Sequence, residues 1–132
     1  MNIKTFLMAA TALLSVSCAK QANNDTDKQP ITKPQITLTS DRLTPEALWA
    51  MGRIGEVRLD IETGLIAYTV SYYSVQENRS TTWIRICSED NNQLTVHDEF
   101  VGNSPAWFGG GVLAYLNGGK LYLRQHQKAI AA

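Results

Sequence analysis

The hydrophobic rhythm of the chain changes along its length. Thr5 to Val16 is an uncharged, mostly apolar run, TFLMAATALLSV. Ala19 to Ser40 is polar, carries Pro30 and Pro34, and holds no aromatic residue. Leu43, Ala47, Leu48 and Met51 then fall at helical spacing and predict one apolar face. From Gly55 onward the period is two, which predicts strands.

The predicted helix has a clear start. Thr44 can cap free N–H groups, Pro45 fits the first helical position, and Glu46 suits the positive end of the dipole. Gly52 can end it. A helix of barely two turns persists only if tertiary packing holds it.

In the strand region, Val57 and Leu59 make a short first strand, and Asp60-Ile61-Glu62-Thr63-Gly64 a turn with Gly64 free to take a positive φ. Leu65 to Tyr73, LIAYTVSYY, is β-branched and aromatic and predicts a buried strand. A polar loop, Ser74 to Thr81, leads to Thr82–Cys87. That strand alternates Trp83 and Arg85 on one face with Ile84 and Ile86 on the other. Ser88 to Gln93 reads as a turn and Leu94 to Phe100 as a fourth strand.

The pattern then recurs. Gly64-Leu65-Ile66-Ala67-Tyr68 is echoed by Gly111-Val112-Leu113-Ala114-Tyr115, an offset of 111 − 64 = 47 residues. Pro105 to Phe108 supplies the first strand of the second unit, Gly109-Gly110-Gly111 its turn, and Asn117-Gly118-Gly119 a tight turn before the alternating Lys120 to Leu123. Four short strands repeating every roughly 40–50 residues are the signature of β-propeller blades. The expected fold class is all-β, a partial β-propeller of about two four-stranded antiparallel blades over residues 53–132. Before it come a signal peptide at 1–17, a flexible tether at 18–42 and the short helix at 43–52. Beyond Leu123 the chain reads RQHQKAIAA and leaves the blade pattern.

Composition narrows the function classes. The chain has 132 residues, room for one domain, with 12 Lys+Arg against 12 Asp+Glu. That balance argues against a nucleic-acid partner, which usually asks for a basic patch. Two cysteines, Cys18 and Cys87, cannot make a disulfide scaffold.

The N-terminus reads as an address. Met1 to Lys4 is a short basic start, and the apolar run of about a dozen residues is too short for a spanning helix, which needs roughly 20. Leu13-Leu14-Ser15-Val16-Ser17-Cys18 resembles a bacterial lipoprotein signal, with Ser15 where the usual box has leucine. The resemblance implies a lipidated Cys18 as the first mature residue. It also implies export, and a lipid anchor to the bacterial envelope on its periplasmic or surface side. Residues 19–40 bury too little apolar surface to offset their ordering entropy and serve as tether.

Leu43 to Ile86, LTPEALWAMGRIGEVRLDIETGLIAYTVSYYSVQENRSTTWIRI, resembles the N-terminal propeller region of bacterial prolyl oligopeptidase-family serine peptidases, of the dipeptidyl and acyl-aminoacyl peptidase types. The likeness extends to about Leu123 and is most specific over Leu43 to Val75. It departs in the turns: the family usually has Ser-Pro-Asp-Gly where this chain has Asp60 to Gly64 and Gly109 to Gly111. The resemblance implies a propeller that restricts access of peptide substrates to an α/β-hydrolase domain carrying a Ser, Asp and His triad. No Gly-x-Ser-x-Gly elbow occurs in this sequence; Gly102-Asn103-Ser104-Pro105 lacks the second glycine. The implied role is therefore structural and substrate-gating, with no catalytic residue and no cofactor in this chain. The alternative is a small self-contained lipoprotein that acts as a binding module. Fewer than two blades leave an open edge and apolar faces, including Ile66, Tyr68, Val112 and Leu113, so self-association is expected.

Other candidate residues read as structural. Cys87 ends an apolar strand and reads as a buried small hydrophobe. His97, Asp98 and Glu99 are adjacent, so one strand cannot offer all of them to one ion. His126 lies in the polar tail without a partner at ligand spacing. Glu89-Asp90-Asn91-Asn92 lacks the spaced ligands of a calcium loop, and Asn78-Arg79-Ser80 matches a glycosylation acceptor in a chain with a bacterial signal. Trp83 and Trp107 read as core or inter-blade packing rather than a carbohydrate platform.

Overall fold

The computed structural model describes residues 28–37 and 41–127. Its elements are α1 (Pro45–Ala50), β1 (Arg53–Leu59), β2 (Leu65–Ser74), β3 (Arg79–Asp90), β4 (Gln93–Val101), β5 (Asn103–Trp107), β6 (Val112–Asn117) and β7 (Lys120–Gln125). Strands β1 to β4 form one antiparallel sheet in sequence order, and β5 to β7 a second. The all-β class holds. Among the described residues the second sheet has three strands rather than four.

Most strands are longer than the alternation alone marks. The predicted polar loop Ser74–Thr81 shrinks because β3 already starts at Arg79, paired with Ser74. Asn91 and Asn92, with φ of 50° and 60°, close the β3–β4 hairpin as a tight two-residue turn. Gly118 and Gly119 do the same between β6 and β7. The first strand of each sheet carries an irregularity in its pairing, between Ile54 and Val57 in β1 and between Asn103 and Ala106 in β5. The two units thus share an irregular first strand and the second strand paired to it, which is the structural content of the 47-residue echo, while their turns differ: residues 60–64 in the first and 108–111 in the second.

The main core lies between the sheets. Leu65 and Ala67 of β2, Ile84 and Ile86 of β3, and Leu113 of β6 are fully buried there, with Phe100, Trp107 and Tyr115 packed around them. Each large aliphatic side chain so buried contributes about 2 kcal/mol relative to exposure. Leu113 was expected on an exposed face with Val112. Neighbours on a strand point to opposite faces, so only one of the two can look outward; Leu113 turns to the first sheet and Val112 is half-buried.

The other face of the first sheet meets an N-terminal segment. Ile31, in the stretch read as tether, packs with Val70 and Tyr72, beside Tyr68 and Trp83. Its backbone N–H donates to Thr81 Oγ1 at 2.9 Å and its carbonyl accepts from Trp83 Nε1 at 2.7 Å. Together with the Gln29 carbonyl, which accepts from the Arg79 guanidinium, these contacts anchor a segment whose composition is otherwise that of a linker.

The helix forms as expected at its start: Thr44 Oγ1 accepts from the Ala47 N–H at 3.2 Å. Its apolar face does not form as expected. Only Ala47 is buried, while Leu43, Leu48 and Met51 are 57%, 50% and 45% exposed. The helix is held by its edge instead: the Trp49 ring lies 5.3 Å from that of Tyr73, and the Arg53 guanidinium sits 4.8 Å over Trp49.

Candidate functional site

The residues singled out by chemistry do not gather into one centre. Cys18 lies outside the described residues. Cys87 is buried in β3, its thiol directed at the Ile66 carbonyl at 3.6 Å, and burial pushes its pKa up. His97 Nε2 and Ser88 Oγ are 2.7 Å apart. Glu99 pairs with Arg85; burial works against the Arg85 charge, but bonds from Glu99 and Tyr68 outweigh it and raise its pKa. His97, Asp98 and Glu99 thus take separate partners. Ser104 has φ of +51°, but within the β5 irregularity, with no helix following it. The Asn78 side chain accepts from the Tyr73 hydroxyl at 2.6 Å. Among the described residues no group of three or more His, Cys, Asp and Glu is placed to hold a metal ion.

The polar chemistry that does converge lies at the junction of the two sheets. Asp60 and Glu62, in the β1–β2 turn, face the glycines of the β5–β6 turn. The Asp60 carboxylate is buried and accepts from the Thr63 hydroxyl at 2.6 Å, the Gly111 N–H at 2.8 Å and the Glu62 N–H at 3.3 Å. Glu62 accepts from the Gly110 N–H at 2.6 Å. The Thr63 hydrogen bond lowers the Asp60 pKa, burial opposes it, and the two backbone donors add to the lowering. Trp107 Nε1 donates to the Arg58 carbonyl at 3.0 Å beside this clamp. The two turns that depart from Ser-Pro-Asp-Gly are therefore partners: carboxylates in one, bare N–H groups in the other. Gly111 fits because its φ is +80° and a Cβ there would meet the His126 carbonyl oxygen at 2.0 Å.

A second node lies at the end of β7 and corrects the reading of His126. The strand runs on to Gln125, and the His126 N–H donates to the Gly111 carbonyl at 2.8 Å. The imidazole stacks against Phe100 and meets Trp107 edge-on, with ring centroids 6.2 Å away in each case. Asp98 lies 3.9 Å from Nδ1 and binds Arg124 at 3.1 Å, while Arg124 covers the Phe100 ring at 4.5 Å. Burial lowers the His126 pKa; Asp98 opposes this and Arg124 adds to it. Among the described residues His126 Nε2 is buried without a hydrogen-bond partner. The node joins β4 of the first sheet to β5 and the end of β7 in the second.

An open groove of about 940 Å³ runs between the Ile31 segment, α1 and the β2–β3 hairpin. Pro30, Trp49 and Tyr73 give it apolar walls, and Glu77 and Arg79 close one side as an ion pair at 2.6 Å. No helix among the described residues is long and apolar enough to cross a membrane. No protein-family model, curated protein or solved structure matches the chain.

Proposed function

We propose that the chain is the N-terminal propeller portion of a secreted prolyl oligopeptidase-like serine peptidase, lipid-anchored through Cys18, with a structural and substrate-gating role. The observation that carries this reading is the likeness of Leu43 to Val75 to that family. Two successive antiparallel sheets with matching irregularities in their first strands, packed face to face, agree with it. In this reading the junction residues Asp60, Glu62, Gly110 and Gly111 set the angle between adjacent blades, and the hydrolase chemistry belongs to another part of the protein. The test is the DNA that follows the coding segment. Further units of the same strand pattern and a Gly-x-Ser-x-Gly elbow, in the same or a shifted frame, support the proposal. An unrelated gene directly downstream, or turnover of dipeptidyl substrates by this chain alone that a serine-directed inhibitor abolishes, overturns it.

The groove beside Ile31 favours a second reading, a small lipoprotein that binds a partner at the envelope. Its discriminating observation is the same stretch of DNA, with a stop and an unrelated neighbour.

A further inference from the structure

The pattern with which the first sheet receives the second recurs on the second sheet, where Val112 is half-buried, Ala114 lies flush between its neighbours and the two leucines of β7 stand bare. Leu65 and Ala67 of β2 and Ile84 and Ile86 of β3 are each 0% exposed beneath sheet two. Carried through the 47-residue echo, Leu65 and Ala67 correspond to Val112 and Ala114 of β6. Ala67 pairs with Ile86 as Ala114 pairs with Leu123, and Thr69 pairs with Ile84 as Leu116 pairs with Leu121. Yet Leu121 and Leu123 are 68% and 67% exposed.

The complementary face recurs too. Sheet two offers Trp107, Leu113 and Tyr115 to sheet one. Their counterparts in sheet one are Leu59, Ile66 and Tyr68, since Leu59 pairs with Ile66 as Trp107 pairs with Leu113. These point away from the junction, with Leu59 60% exposed. The Ile31 segment covers the Val70, Tyr72 and Trp83 end of that face and packs beside Tyr68, and the Arg85–Glu99 ion pair lies next to Tyr68 in register, so the open part is Leu59 and Ile66 with the edge of Tyr68.

We propose that the outer face of β6–β7 docks a second copy of this chain. The second copy seats its Leu59–Ile66–Tyr68 face on Val112, Ala114, Leu121 and Leu123. The packing between the two sheets of one molecule is then repeated between molecules. The two faces are different, so the contact is head-to-tail and open-ended. It is also reversible, because the carboxylate clamp is not repeated. The position in sheet two that corresponds to Asp60 is Phe108, judged by the matching Asp60 N–H to Leu65 and Phe108 N–H to Val112 bonds. The inference is made of this chain by itself; a following unit of the same strand pattern would take this face in place of the second copy.

The test is sedimentation velocity on the full chain as Cys18→Ser, over a concentration series. Average mass is expected to rise with concentration. Leu123→Arg on one face, or Leu59→Arg on the other, is expected to raise the concentration needed by at least tenfold. Mixed in equal amounts, the two variants recover a dimer and nothing larger, because each retains the face the other lacks. Near-ultraviolet circular dichroism checks that both remain folded, and the Leu123→Gln and Leu59→Gln pair replaces them if they do not. A wild-type chain that stays monomeric overturns the proposal. So does association that survives both substitutions, as pairing through the apolar N-terminal run would, or a mixture that shows no recovery.

Discussion

The Asp60 carboxylate accepts the Gly111 N–H at 2.8 Å across 51 residues of sequence, so the first turn of one sheet holds the first turn of the next. Within its own turn the same carboxylate binds Thr63 and Glu62, and the Asp60 N–H reaches the Leu65 carbonyl at 2.8 Å. One side chain therefore shapes a hairpin and fixes its neighbour. Asp60→Ala strips a buried N–H and a hydroxyl of their acceptor, and should cost about 3 kcal/mol in urea unfolding. Asp60→Asn, which keeps one acceptor oxygen, should cost less.

Acid should undo the same clamp. The folded-state pKa of Asp60 is depressed below its usual value of 3.8. Its contribution is present above that value and is lost as pH falls through the folded one. The wild type should lose stability over this acid range more steeply than Asp60→Asn, measured as urea midpoints between about pH 5 and pH 2. Parallel curves would remove Asp60 from the acid response.

His126 should act at milder pH. Burial depresses its pKa below the usual 6.5, so the folded state favours the neutral ring. The unfolded chain takes up the proton first, and stability present above about pH 6.5 should decline as pH falls below it. Asp98 softens this loss and Arg124 sharpens it. His126→Phe, which keeps the stacking on Phe100 and removes the unpartnered Nε2, should flatten the thermal midpoint between about pH 7 and pH 5.

Two glycines with similar φ separate backbone preference from crowding. Gly119 has φ of +74° and open space where a Cβ would stand, so Gly119→Ala should cost about 1 kcal/mol. Gly111 has φ of +80° and the His126 carbonyl oxygen 2.0 Å from that position. Gly111→Ala must displace the end of β7 and should cost about 3 kcal/mol or more, with loss of amide-exchange protection at His126.

Much of this architecture is legible in local sequence. β-Branched and aromatic residues between Leu65 and Tyr73, the alternation from Trp83 to Ile86, and Asn117-Gly118-Gly119 are short-range signals, and each stands where its pattern puts it. The repeat is legible for the same reason. The clamp is not, because Asp60 and Gly111 look like ordinary turn residues until the sheets stack. His126 follows a polar Arg124-Gln125 pair, and only the approach of Phe100 and Trp107 makes it a core residue. Leu43, Leu48 and Met51 show the reverse error: helical spacing marks a face, but a helix of six residues has too little surface opposite it to bury them all.

The docking of Ile31 decides how the molecule bears a load. A pull applied to the chain ahead of Lys28 reaches the folded body first at Gln29 and Ile31, where Arg79, Thr81 and Trp83 hold the backbone. Force therefore enters through β3, an inner strand paired on both sides, and not through the exposed edge strand β1 that follows α1. An edge strand tugged from its end unzips one hydrogen bond at a time, whereas a fastening on an inner strand must shear several at once. The sheet stays whole until that fastening slips.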